Sequence, residues 1–211
     1  MIVGVGMNGP AAARGRAALL GAGAYTSSAA APRAGATATM ARMSTPRWTP
    51  SVTVAAIIES AGRYLLVEEH TPEGLRLNNP AGHLERGESP EQAVVREALE
   101  ETARAFTPEA LVGIYLARFQ RPARSGHVAE DVTYLRLAYA GSVGDALPGH
   151  ALDTGIERTL WLTLAEVRDS AARHRSPLVL RCIEDHAAGR RHPLGLLTVD
   201  PSLYAPRTLQ P

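Results

Sequence analysis

The stretch Gly82 to Glu101, GHLERGESPEQAVVREALEE, concentrates acidic side chains at Glu85, Glu88, Glu91, Glu97, Glu100 and Glu101. On a helix, Glu97, Glu100 and Glu101 are spaced i, i+3 and i+4 and share a face. Like charges at that spacing cost a few tenths of a kcal/mol per pair. A bare solvated face gains nothing from them. A hard divalent cation reverses the sign, because Mg²⁺ takes oxygen ligands and sits between carboxylates and substrate phosphates. The pattern therefore points to a metal platform for phosphate chemistry, with Mn²⁺ as a possible substitute.

The flanking residues predict the helix that carries this face. Ser89 suits the N-cap, Pro90 the first helical position, and Gln92 completes a Ser-x-x-Gln capping box. Ala93, Val94, Ala98 and Leu99 form the expected buried side, with the acidic face partly opposite. Arg96 is a cation within the acidic run and can pair with Glu88 or Glu100.

At this point the chain resembles the Nudix hydrolase family. That signature reads Gly, five residues, Glu, seven residues, Arg-Glu, an apolar residue, any residue, Glu-Glu, any residue, Gly, an apolar residue. Gly82, Glu88, Arg96-Glu97, Ala98 and Glu100-Glu101 match it, and Ala103 and Arg104 depart from it. A left-handed backbone at position 103 would cost Ala about 1–2 kcal/mol, and Phe106 is the expected substitute for the apolar anchor. The resemblance runs from about Thr49 to Leu197. NNPAGHLE from Asn78, YLRLAYA from Tyr134, the Trp161 strand and RSPLV from Arg175 are similar to the NudJ-type branch, which acts on thiamine-pathway pyrophosphates and nucleoside di- and triphosphates.

The resemblance implies a hydrolase of phosphoanhydride bonds with the Nudix fold, an α+β (α/β/α) sandwich with a mixed central sheet. It implies metal ligands at Glu97, Glu100 and Glu101, with a backbone carbonyl near Gly82 as a further one. Glu97 is the first choice of general base, Glu101 belongs to the same catalytic face, and Glu157 is the later-loop alternative for the base. Glu88 and Arg96 match positions that brace the loop. His83, Arg136 and Tyr134 are candidates for substrate contact. For Arg136, a phosphate contact and a salt bridge with Glu88 or Asp131 are both open. His83 could equally serve loop hydrogen bonding. Tyr115, Tyr134 and Trp161 suit the core or a base-stacking wall. Asn78 and Asn79 are expected in turns, Ser176 at a helix cap, and His127 in solvent. An ADP-sugar or dinucleotide pyrophosphatase, or a non-catalytic nucleotide sensor, are the alternative functions.

The 211 residues suit one domain with tails or a small two-domain protein. All 22 basic residues are Arg. Residues 1–50 hold five Arg and no acid, leaving 17 Arg against 21 acids in the remainder. That acidic balance argues against binding of a nucleic-acid polymer. No stretch reaches the roughly 18 apolar residues of a membrane span. The family resemblance implies a small phosphorylated substrate and a monomer, and a cytoplasmic location is expected. The single Cys182 excludes an internal disulfide and suits a buried thiol.

Residues 1–46 are expected to be a disordered extension, either a leader or an over-extended start, since little in them offsets ordering entropy. The domain is expected over 47–199, with an irregular tail over 200–211. Strands are predicted over 51–58, 64–68, 75–77, 111–119, 132–140 and 157–162. After the acidic helix, a second is expected from the Thr163-x-x-Glu166 box to about Ala171. A third should run from Ser176-Pro177 to Gly189.

Overall fold

The computed structural model describes residues 47–121, 123 and 129–206. The expectations for the N-terminal extension and for His127 lie outside them. Seven strands are formed: β1 (Ser51–Ser60), β2 (Arg63–Thr71), β3 (Gly74–Asn78), β4 (Ala81–His83), β5 (Phe106–Arg121), β6 (Glu130–Val143) and β7 (Ile156–Thr163). Helix α1 (Pro90–Thr102) lies between β4 and β5, while α2 (Leu164–Asp169) and α3 (Pro177–Ala187) follow β7. The sheet runs β3-β2-β1-β6-β5, with β4 added on β1 and β7 on β2. Among the described strands only β1 and β6 are parallel, over Ser51–Ile58 against Tyr134–Gly141. The sheet is thus mixed, in an α+β sandwich.

The β-branched and Ala-rich run of β1 is buried on both faces, as a central strand requires. Val54, Ala56 and Ile58 join one core with Ala93, Val94 and Ala98 of α1. Ile57 joins the opposite core with Val179, Cys182 and Ile183 of α3. The period of two along β1 therefore separates the helical layers. Ala61 and Gly62, both at positive φ (50° and 77°), close the β1–β2 hairpin, the geometry of a two-residue primed turn.

Strand β5 begins five residues before the expected Leu111. It is an edge strand with register shifts at Pro108/Ala110 and Leu111/Gly113. Each shift interrupts the alternation that marks a strand in sequence, and Pro108 is tolerated because an edge need not donate. The expected turn position holds for Asn79, which with Pro80 connects β3 to β4, but not for Asn78. Asn78 ends β3, and both side chains are buried. α2 is also shorter than expected, its last turn being the 3₁₀ segment Ala171–Arg173.

α1 begins as its sequence dictates. Ser89 Oγ accepts from Gln92 N at 3.1 Å and Gln92 Oε1 accepts from Ser89 N at 2.8 Å. It ends on Ala103, at φ 53° and ψ 30°, whose N–H donates to Leu99 O. Phe106 is buried against this helix core, as expected for the anchor. Arg104 instead places its guanidinium 5.9 Å from the Trp161 ring and donates to Gly144 O. The left-handed alanine costs about 1–2 kcal/mol. Ala103→Gly is expected to raise Tm by about 2–4 °C in a chain of this size, as read by calorimetry. A lowered Tm would show that the methyl packing outweighs the backbone cost.

Candidate active site

Glu97 and Glu101 are only 9% and 8% exposed. They continue the buried Ala93 side of α1 at successive i+4 steps, so the acidic face is turned inward rather than away from the core as the sequence suggested. A buried carboxylate must be hydrogen-bonded. Glu101 accepts from Ala81 N at 2.8 Å, which ties α1 to β4. Glu97 accepts from Arg96 Nη1 at 2.8 Å.

Arg96 organises the cluster. Its Nε and Nη2 donate to the two oxygens of Glu88 at 3.0 and 2.8 Å, a bidentate pair. Nη1 reaches Glu100 at 3.1 Å as well as Glu97, and Nη2 reaches His83 O at 3.0 Å. Glu88 in turn accepts from Glu85 N, closing the loop. The hydrogen bond from Arg96 is the main cause of a Glu88 pKa below the ordinary value.

Gly82 shows why the loop needs glycine there. A Cβ on it would lie 2.1 Å from Glu97 Cδ. The Glu97 carboxylate therefore rests on the bare α-carbon of β4. Burial, opposed by Arg96, raises the Glu97 pKa. Burial is also the main reason the Glu101 pKa is pushed up to about 8; the Ala81 N–H opposes it, and Glu97, Glu69 and Asp153 add repulsion.

These residues line a cavity of about 400 Å³ together with Glu85, Arg96, Glu100, His70 and the Asp153–Ile156 turn. Asp153 is held there by its N–H, which donates to Glu100 O at 2.8 Å. Among the described residues, no three His, Cys, Asp or Glu side chains are already gathered at metal-ligand spacing. Arg96 and the Ala81 N–H hold the carboxylates individually. The donor set still fits a hard divalent cation: it is all oxygen, its repulsion is only partly cancelled, and Glu69 Oε1 is buried without a partner.

The remaining candidates divide. His83 borders this cavity, its ring 6.2 Å from Tyr134, which in turn meets Phe119 at 5.7 Å. Arg136 is 8% exposed and makes neither expected salt bridge, because Glu88 is taken by Arg96 and Asp131 by Arg118. Glu157 is outside the cavity lining, paired with His70 at 3.0 Å. Tyr115 is a core residue whose hydroxyl donates to Asp185. Ser176 caps α3 by accepting from Leu178 N.

Sequence reasoning missed Glu69 and Asp153. Glu69 is on β2, next to a buried Glu68 that pairs with Arg158 and Arg173. Neither has a local spacing signal, since both reach the site through strand pairing and a turn.

The Nudix domain model matches residues 47–182. The chain belongs to the Nudix hydrolase family and is a hydrolase of pyrophosphate bonds. The phosphatase NudJ of Escherichia coli strain K12 is 32% identical over 149 residues, covering 70% of this chain and 90% of that protein. A Nudix hydrolase from Nitrosomonas europaea is 49% identical, with a TM-score of 0.63 over 72% of this chain and 98% of its own. A UDP-X diphosphatase, 16% identical with a TM-score of 0.53 over 72% of this chain and 70% of its own, shares the fold.

Gly82→Ala is expected to displace Glu97 and lower kcat/KM by at least tenfold, while circular dichroism stays native. Undiminished activity would show that Glu97 need not rest against β4.

Proposed function

We propose that the protein is a Mg²⁺-dependent, NudJ-like phosphatase. On this reading it cleaves phosphoanhydride bonds of nucleoside di- and triphosphates or of pyrimidine pyrophosphates. The observation that carries the reading is that buried Glu97 and Glu101 and half-exposed Glu100 line one cavity together with Gly82. Mg²⁺, or Mn²⁺ in its place, would be held by those three carboxylates and the Gly82 carbonyl. When bound it supplies charge neutralisation and an activated water.

The chain's own residues do the rest. Glu97 is the first choice to take the water's proton, since it lies buried against Gly82 and burial raises its pKa. Glu101 shares that face. Arg96 keeps Glu97 and Glu100 in place and, with Glu88, fixes the loop that carries Gly82. His83, Tyr134 and Arg136 form the substrate side. Asp153 replaces Glu157 as the later-turn carboxylate that borders the cavity. Glu157 acts only through His70 on this reading.

The departures from the signature at Ala103 and Arg104 do not favour a sensor. Ala103 adopts the left-handed cap and Arg104 covers Trp161, so both are absorbed at the helix exit. The reading is of a cytoplasmic monomer acting on small phosphorylated molecules, with its domain over 47–199. None of the described helices is long and apolar enough to cross a membrane.

Glu101→Gln is expected to lower kcat by at least a hundredfold without lowering Tm. The substitution removes a buried charge but keeps an acceptor for Ala81 N–H. Chelation should abolish wild-type turnover and Mg²⁺ restore it. A Glu101→Gln protein with wild-type turnover, or turnover that persists in chelator, would overturn the reading.

A further inference from the structure

A second cavity, of about 220 Å³, adjoins the acidic one and shares Glu69, Ala81, Gly82 and His83 with it. Arg136 lines it from β6, in register with Thr53 on β1 and Tyr115 on β5. The guanidinium is thus in the middle of the sheet. Its Nε and Nη1 are buried and have no hydrogen-bond partner. A buried guanidinium whose N–H groups find no acceptor is costly even with the Glu69 carboxylate in the same lining. Arginine does not escape the cost by losing its proton.

The surroundings add positive character. Arg175 lines the same cavity, and its Nη1 donates to Glu69 Oε2 at 3.3 Å. Among the described residues, Glu69 is the only carboxylate in that lining. Two Arg against one Glu leave the lining net positive. Ser176, the N-cap of the 11-residue α3, is also part of the wall. A helix of that length presents the positive end of its dipole there. An unpaired buried guanidinium and a helix start therefore converge on one small space.

We infer that this cavity is an oxyanion subsite that takes a free terminal phosphoryl group of the substrate. The inference rests on the hydrolase reading above for the source of that group, but oxyanion binding itself does not need turnover. A substrate lying across both cavities would put its scissile anhydride at the carboxylates and its phosphoryl end on Arg136. A dinucleoside polyphosphate or a nucleoside-diphosphate sugar would end there in an uncharged nucleoside or sugar and would leave the guanidinium without an acceptor. The subsite thus selects molecules with an uncapped phosphate.

The test titrates inorganic phosphate into metal-free full-length protein in chelator, followed by calorimetry and thermal shift. Saturable binding with a rise in Tm is expected. Arg136→Leu should weaken binding at least tenfold and raise Tm in phosphate-free buffer, because it removes an unpaired buried cation. Arg136→Lys should keep part of the binding, and Arg136→Gln covers the case in which the leucine variant does not fold. A merely structural arginine would instead lower Tm when replaced. Phosphate binding that survives Arg136→Leu or Arg136→Gln, that requires Mg²⁺, or that is displaced by an unphosphorylated nucleoside would overturn the subsite. Phosphate binding without any hydrolase activity would remove the hydrolase reading alone. Hydrolysis with unchanged phosphate binding in the variants would remove the subsite alone.

Discussion

The structure depends on keeping several carboxylates inside a fold that gives them too little positive charge. Arg96 is the only side-chain cation in direct contact with Glu88, Glu97 and Glu100 among the described residues. One guanidinium cannot neutralise three carboxylates. The balance shows at Glu101, which Arg96 does not reach and whose pKa is pushed up to about 8, chiefly by burial. Desolvating like charges is unfavourable in proportion to their isolation from water. A cation bound at the carboxylates would relieve that cost, so the energetics of the helix and its chemistry have one origin.

The rest of the fold serves to hold α1 against β4. β1 is buried on both faces and anchors α1 on one side and α3 on the other. β4 pairs with β1 over only three residues, Thr53–Ala55 against Ala81–His83. That short strand brings the Ala81 N–H to Glu101 and the bare α-carbon of Gly82 to Glu97. The same strand lines both the acidic cavity and the arginine-lined one, so the two environments of opposite charge lie side by side.

Much of this was legible locally. Ser89 and Gln92 announce the start of α1, and the Glu97, Glu100 and Glu101 spacing announces a shared acidic face. Contacts that depend on tertiary pairing were not legible. Glu97 and Glu101 face inward because β4 supplies a glycine and an amide, neither of which α1 encodes. β4 itself is three residues long and sits among Pro and Gly, so no alternation marks it. Glu69 and Asp153 enter through β2 and the turn before β7. Glu157, the later-loop alternative for the base, pairs with His70. Arg136 could be placed on a strand from sequence, but that its Nε and Nη1 lack a hydrogen-bond partner appears only in the folded structure, where Asp131 and Glu88 pair with other arginines.

The most direct measurement of the central claim is equilibrium Mn²⁺ binding to the folded protein, followed by electron paramagnetic resonance. The account predicts a saturable site, affinity at least tenfold lower in Glu97→Gln, and a wild-type Tm that rises with bound metal. No saturable binding, or equal affinity with Glu97 replaced, would contradict it.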